Sequence, residues 1–97
     1  MDFEFHPEAE DEQREARAYY EAYDPDSVRR LEDEIELTVR TVLANPLLFR
    51  LRGDHRRANL PKYPYYLPFV ILDERLIFLA VAHNARKPGY WKDRLAQ

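Results

Sequence analysis

Seven consecutive apolar residues, Leu76-Ile77-Phe78-Leu79-Ala80-Val81-Ala82, run directly into His83-Asn84-Ala85-Arg86-Lys87-Pro88-Gly89-Tyr90-Trp91. The run is far too short to cross a membrane and has no polar alternation, the pattern of a central buried strand. A strand is therefore expected over Arg75–Ala82. Asp73-Glu74 makes the turn from a preceding strand, Tyr65–Leu72, in which Tyr65, Leu67, Phe69 and Ile71 share one face. Pro68 has no ladder donor, so it implies an edge or a bulge at that point. Arg56–Leu60 is long enough for a further strand, reached by a connector over Leu47–Asp54.

The amino-terminal half has a different period. Asp2-Phe3-Glu4-Phe5 alternates, placing Phe3 and Phe5 on one face of a short strand. Pro7 opens a helix, with His6 at the N-cap position and Glu8, Glu10, Asp11 and Glu12 favouring the positive end of its dipole. Ala9, Ala16, Tyr19, Tyr20 and Tyr23 recur near helical spacing and are expected to be its buried stripe. Asp24-Pro25 stops this helix and starts a second, Asp24 as N-cap and Pro25 just inside. Val28, Leu31, Ile35, Val39 and Val42 form the stripe of that longer helix, which Asn45-Pro46 ends. The expected order is β-α-α-β-β-β, an α+β architecture with a helical hairpin packed on a small, mainly antiparallel sheet. A short helix or coil is expected over Tyr90–Leu95.

The chain is 97 residues long and lacks cysteine, which suits one domain over residues 1–97 whose core alone supplies stability. Without thiols there is no disulfide framework, no thiolate nucleophile and no Cys-based metal site, in keeping with a reducing cytoplasm. No metal or other cofactor is expected, and neither a signal peptide nor a membrane span is supported. The net charge of −3 conceals a segregation: residues 1–45 hold 14 acidic and 5 basic side chains, residues 46–97 hold 4 acidic and 10 basic. If the segments form different faces, the carboxy-terminal one attracts anionic partners; solvated helix carboxylates are the plainer explanation.

Three groups of side chains can carry chemistry. His83, Arg86, Lys87 and Tyr90 follow the apolar strand. Cleavage of RNA through the ribose 2′-hydroxyl needs a group to take that proton, a group to protonate the leaving oxygen, and cations for the phosphate. Histidine, tyrosine and arginine suit those tasks. Equally, His83 can end the strand while Tyr90 and Trp91 pack the tail onto the sheet. Arg50, Arg52, Arg56, Arg57 and Lys62 form a basic run that can hold phosphates or an acidic peptide, or simply be solvated. Alternation sends Arg56 and Arg57 to opposite faces. The tyrosines Tyr19, Tyr20, Tyr23, Tyr65 and Tyr66 belong either to an interface or to the finish of a small core.

Three motifs, read together, resemble the RelE/ParE superfamily of toxins, in particular its ParE-like plasmid stabilization branch. They are Phe5-His6-Pro7-Glu8-Ala9-Glu10, Arg56-Arg57 followed by Leu60 and Tyr63-Pro64-Tyr65, and Ala80-Val81 followed by His83, Arg86 and Pro88-Gly89-Tyr90-Trp91. The resemblance implies the toxin of a type II toxin–antitoxin pair, with a cognate antitoxin as partner. ParE-like action implies inhibition of a protein target such as DNA gyrase, with Arg56, Arg57, Lys62, His83, Arg86 and Tyr90 as target-binding residues. It does not imply direct DNA binding without the antitoxin. RelE-like action implies ribosome-dependent cleavage of mRNA, with His83, Arg86 and Tyr90 as catalytic residues. A degenerate toxin would keep only antitoxin binding. Tyr66 and Asn84 stand where RelE-type enzymes carry arginines, which favours the ParE-like reading.

Overall fold

The computed structural model describes residues 1–96. Strand β1 (Asp2–Phe5) leads into helices α1 (Pro7–Tyr23) and α2 (Pro25–Ala44), followed by a 3₁₀ turn, Pro46–Leu48. Strands β2 (Arg56–Asn59), β3 (Tyr65–Leu72), β4 (Arg75–Phe78) and the two-residue β5 (Ala82–His83) follow, and a 3₁₀ segment, Lys92–Ala96, comes last. The sheet order is β1-β4-β3-β2, with β5 also paired to β3. Only the β1–β4 pair is parallel. No described helix is long and apolar enough to cross a membrane.

The helix boundaries follow the capping chemistry read from the sequence. The His6 imidazole accepts from the Glu8 N–H at 3.1 Å, and Pro7 occupies the first turn, where its missing donor costs nothing. Asp24 serves both helices: its N–H closes α1 on the Tyr20 carbonyl, and its carboxylate accepts from the Asp26 N–H at 3.1 Å to open α2. Leu31, Ile35, Val39 and Val42 of α2 pack with Ala16 of α1 against Leu67, Phe69, Leu76 and Phe78 of the sheet. Phe5 stacks on Phe78 at 4.8 Å between ring centroids, extending that core to the β1 edge. The opposite face is covered by the chain's own tail: Trp91, 2% exposed, packs with Tyr66, Val70, Leu79, Ala80 and Ala82.

Some expectations need correction. Arg75–Ala82 is not one strand: Phe78 pairs with Phe69 and Ala82 with Tyr66, so three residues, Leu79–Val81, oppose only Leu67 and Pro68. That extra residue is a β-bulge. The Leu79 N–H reaches the Pro68 carbonyl at 2.8 Å. Because a strand residue's N–H and C=O point the same way, the donor that Pro68 lacks would have faced the bulge, where the ladder is interrupted. Pro68 thus sits inside a central strand, with the bulge that its chemistry requires. The buried stripe of α1 also differs: Ala9, Glu12 and Ala16 are buried, whereas Tyr19 and Tyr23 are 55% and 75% exposed. Tyr20 alone of the three turns inward, edge-on to Tyr63. The strand expected over Arg56–Leu60 ends at Asn59, and the carboxy-terminal turn begins at Lys92. The β3–β4 turn holds Asp73 and Glu74 at φ of 51° and 65°, left-handed at both positions as a tight two-residue hairpin demands.

Candidate functional site

The bulge leaves backbone groups without a ladder, and the side chains that satisfy them define the site. The Val81 N–H donates to the Glu12 carboxylate at 3.0 Å, and the Leu79 carbonyl accepts from Arg94 at 2.8 Å. Glu12 comes from α1, one turn after Ala9 and one turn before Ala16, so its stripe position drives it into the interior. A carboxylate there is tolerable only if its oxygens are occupied. They are. Tyr90 donates its phenol to Oε2 at 2.6 Å, Arg86 donates from Nη1 at 3.2 Å, and Arg94 spans both oxygens at 2.9 Å each. The Glu12 and Arg94 side chains are 9% and 10% exposed, while Arg86 is 53% exposed.

Gly89 makes this convergence possible. At φ 80° it turns the chain after Pro88, and a Cβ there would come within 3.1 Å of the Lys92 side chain. Tyr90 is then brought back to Glu12, and the Arg86 guanidinium lies 3.7 Å over its ring centroid. Burial, then the hydrogen bond to Glu12, raises the Tyr90 pKa far above that of an ordinary phenol. For Arg94, burial works against the charge, but the hydrogen bond and charge of Glu12 outweigh it and raise the pKa. Tyr90 is thus a neutral donor whose proton is committed, and Arg94 a fixed cation.

The other residues singled out in the sequence lie apart from this cluster or at its margin. His83, half-buried in β5, accepts the Ala85 N–H on Nδ1 at 3.0 Å and stands edge-on to Tyr65 at 5.1 Å. Arg57 lies 3.9 Å over the Tyr66 ring and reaches Asn59 at 3.2 Å. Arg56 points to the other face of β2, where it donates to the Phe49 carbonyl at 3.2 Å, as alternation requires. Lys62 belongs to the β2–β3 loop, pinned to α2 by its own N–H on Glu34 at 2.6 Å. The structure therefore gathers Arg86 and Tyr90, with His83 nearby in sequence, and leaves Arg56 and Lys62 on different elements.

Sequence reasoning missed Glu12 and Arg94. The signal for Glu12 was its place in the stripe Ala9, Glu12, Ala16, a charge where the spacing demands an apolar residue. Tyr66, in sequence both an interface-or-core tyrosine and a departure from an arginine, accepts the buried Trp91 indole N–H on its hydroxyl at 3.0 Å, which ties the tail to β3. His55, 7% exposed, lies edge-on to Trp91 at 4.6 Å and hydrogen-bonds Asp54, an interaction that lowers the Asp54 pKa. Among the described residues no three or more His, Asp or Glu side chains converge on a point that would hold a metal ion.

Comparison with known proteins gives this geometry a context. A solved chain of the chromosomal ParDE TA system from P. aeruginosa shares the fold with a TM-score of 0.75, over 86% of this chain and 95% of that one. Sequence identity is 14%, so that likeness is one of fold. No curated protein matches the chain in sequence. The family model described as the ParE toxin of type II toxin-antitoxin system, parDE, matches residues 3–88, from β1 through the bulge to the turn that returns Tyr90. With nearly its whole length so matched, the chain belongs to the ParE toxins of type II toxin–antitoxin systems.

Proposed function

We propose that this ParE toxin arrests growth by binding and inhibiting a protein target, DNA gyrase, and that a cognate antitoxin neutralises it in the cytoplasm. The observation that carries this reading is the 2.6 Å hydrogen bond from Tyr90 to Glu12. An RNA-cleaving site would ask Tyr90 to give its proton to a leaving oxygen. Here the donor is held by a carboxylate, and losing the proton would set a phenolate against that carboxylate in a partly buried site. Arg86, the cation expected to bind phosphate in a RelE-like reading, is tied to the same carboxylate. Tyr66 and Asn84 supply no charge where RelE-type enzymes have arginines. Inhibition by binding needs none of this chemistry; it needs shape, exposed cations and a rigid frame.

The antitoxin is read as an acidic, partly disordered segment with apolar anchors. The basic carboxy-terminal half supports the acidic character; a groove of about 620 Å³ between β1 and α2 supports only the apolar anchors, because Phe3, Phe5, Ile35, Val39 and Leu43 share its lining with Glu32, Asp33 and Glu36 against Arg29 and Arg40. Two assays separate the alternatives. Purified toxin should inhibit supercoiling by gyrase and leave mRNA intact in a translating extract. Codon-specific cuts in the ribosomal A site that vanish in Tyr90→Phe would instead establish RelE-like cleavage. Coexpressed with the product of the adjacent reading frame, the toxin should coelute with it in size-exclusion chromatography; separate elution at low and moderate salt would remove the antitoxin assignment.

A further inference from the structure

We propose that Glu12 is a positioning residue of the toxin, fixing Arg86 in the orientation in which it meets the target; this rests on the growth-arrest reading above. Glu12 binds five donors on four groups: the Val81 N–H, Arg86, Tyr90 and two nitrogens of Arg94. Three of the five, from Tyr90 and Arg94, hold the tail, and a fourth, the Val81 N–H, caps the bulge. Arg94 and Tyr90 already close the tail onto α1, and Trp91 is anchored independently through Tyr66. Arg86 is different, because an ion pair with a half-exposed arginine contributes little to folding.

What the contact does is remove freedom. The Arg86 guanidinium is held at one edge by Glu12 and on one face by the Tyr90 ring, itself fixed by the same carboxylate. Of its five N–H donors, one is engaged on Glu12, and its side chain remains 53% exposed. A long cation that would otherwise sample many rotamers is presented to solvent in one pose, with donors left for an acidic group. Ordering a flexible side chain before contact is one of the ways in which an interface gains affinity.

The test uses the full chain and reads growth arrest on graded induction, thermal melting and amide hydrogen exchange. Glu12→Gln keeps the shape and one acceptor for Val81 but removes the charge that holds Arg86. Toxicity should fall about tenfold or more, the scale of losing a charge-assisted hydrogen bond, and the Tyr90–Arg94 amides should exchange faster. In an Arg86→Ala background the same change should cause no further loss of toxicity, because Glu12 acts through Arg86. Losses that add in the double variant overturn the proposal, as does a folded Glu12→Gln protein with parental toxicity, whatever its exchange. If Glu12→Gln does not fold, Glu12→Asp serves: it keeps the charge but withdraws it by one methylene, so melting should recover more than toxicity, and parallel recovery of both overturns the proposal. A parent chain that neither arrests growth nor inhibits gyrase defeats the functional reading instead. The Arg86 side chain still decides: an Arg86 Nε–H NMR signal as ordered in Glu12→Gln as in the parent would then sink the positioning role.

Discussion

The two faces of the sheet are held by different physics. On the helix side, Leu31, Val42, Leu67, Phe69, Leu76 and Phe78 are all under 2% exposed and meet as apolar surface alone. On the tail side Trp91 supplies the apolar contact, but the tail's closure onto α1 depends on one buried carboxylate and the groups that converge on it. Apolar packing is non-directional and spread over many contacts. A buried charge network is directional and concentrates its consequences in a few atoms. The helix side should therefore fail globally when damaged. The tail side should fail locally, with function lost before the fold.

The largest effect expected from a single change is on the helix side. Phe69 is fully buried and touches Phe49 and Phe78 edge-on or tilted, at 5.7 and 5.9 Å between centroids. Phe69→Ala should cost about 3–5 kcal/mol through lost transfer energy and the cavity left behind. Urea unfolding should show a lower midpoint with one transition and an unchanged slope. A separate early transition confined to the tail would contradict the proposed division of labour.

The next effect tests the tail side. Arg94 spans both Glu12 oxygens and also binds the Leu79 carbonyl, three bonds from one planar fork. A lysine ammonium cannot reproduce that geometry. Arg94→Lys should cost about 3 kcal/mol, the upper end for hydrogen bonds to charged groups. Hydrogen exchange should accelerate around Leu79–Val81 and Tyr90–Arg94 while α2 amides keep their protection relative to global stability. Uniform loss across the chain would make the two sides one cooperative unit.

The same contrast explains what was legible in the sequence. Periodicity reports apolar packing, so the α2 stripe, the face Tyr65, Leu67, Phe69, Ile71 and the caps at His6 and Asp24 could be read from residue order. Pro68 left an edge or a bulge open, and the structure has the bulge that interrupts Arg75–Ala82, although seven apolar residues in a row carried no mark of where the break falls. The exit cluster could be read only in part. His83, Arg86 and Tyr90 are close in sequence, but the disposition of Arg86 and Tyr90 depends on Glu12, 78 positions from Tyr90 in the chain. A charge on a helix looks like a solvated carboxylate until the tertiary structure closes over it. Tyr19 and Tyr23 erred the other way: helical spacing placed them on a stripe, yet Tyr20 takes the inward position and leaves both exposed at the end of α1.

A smaller effect tests one tail-side group by pH. Burial and then Glu12 raise the Tyr90 pKa in the folded state, so the folded chain keeps a proton that the unfolded chain releases above about pH 10. That contribution is full below the unfolded value and is lost as pH rises toward the folded one. Tyr20 and Tyr65, raised chiefly by burial, add to the same alkaline decline. Tyr90→Phe should cost about 1.5 kcal/mol at neutral pH, the lower end for a hydrogen bond to a charged group. It should also flatten the fall in stability above about pH 10, measured by urea titration at several pH values. An alkaline slope equal to the parent's would mean that the Tyr90 proton is not linked to folding.

The smallest effect concerns Arg57, among the described residues the one cation stacked on the tail side without a place in the Glu12 network. Its guanidinium lies 3.9 Å over the Tyr66 ring, and its other described side-chain partner is Asn59. Tyr66 remains anchored through Trp91 whatever happens to Arg57. Arg57→Ala should therefore cost only about 0.5–1 kcal/mol, the scale of an exposed cation–π contact, read as a small drop in melting temperature with tail exchange unchanged. Its effect on growth arrest then separates two kinds of tail-side cation. If Arg57→Ala keeps full toxicity while Arg86→Ala loses it at equal melting temperature, the target contact belongs to the cation held by Glu12. If both lose toxicity alike, the contact surface extends from the exit cluster across the Tyr66 face, and presentation by Glu12 matters less than the sum of exposed positive charge.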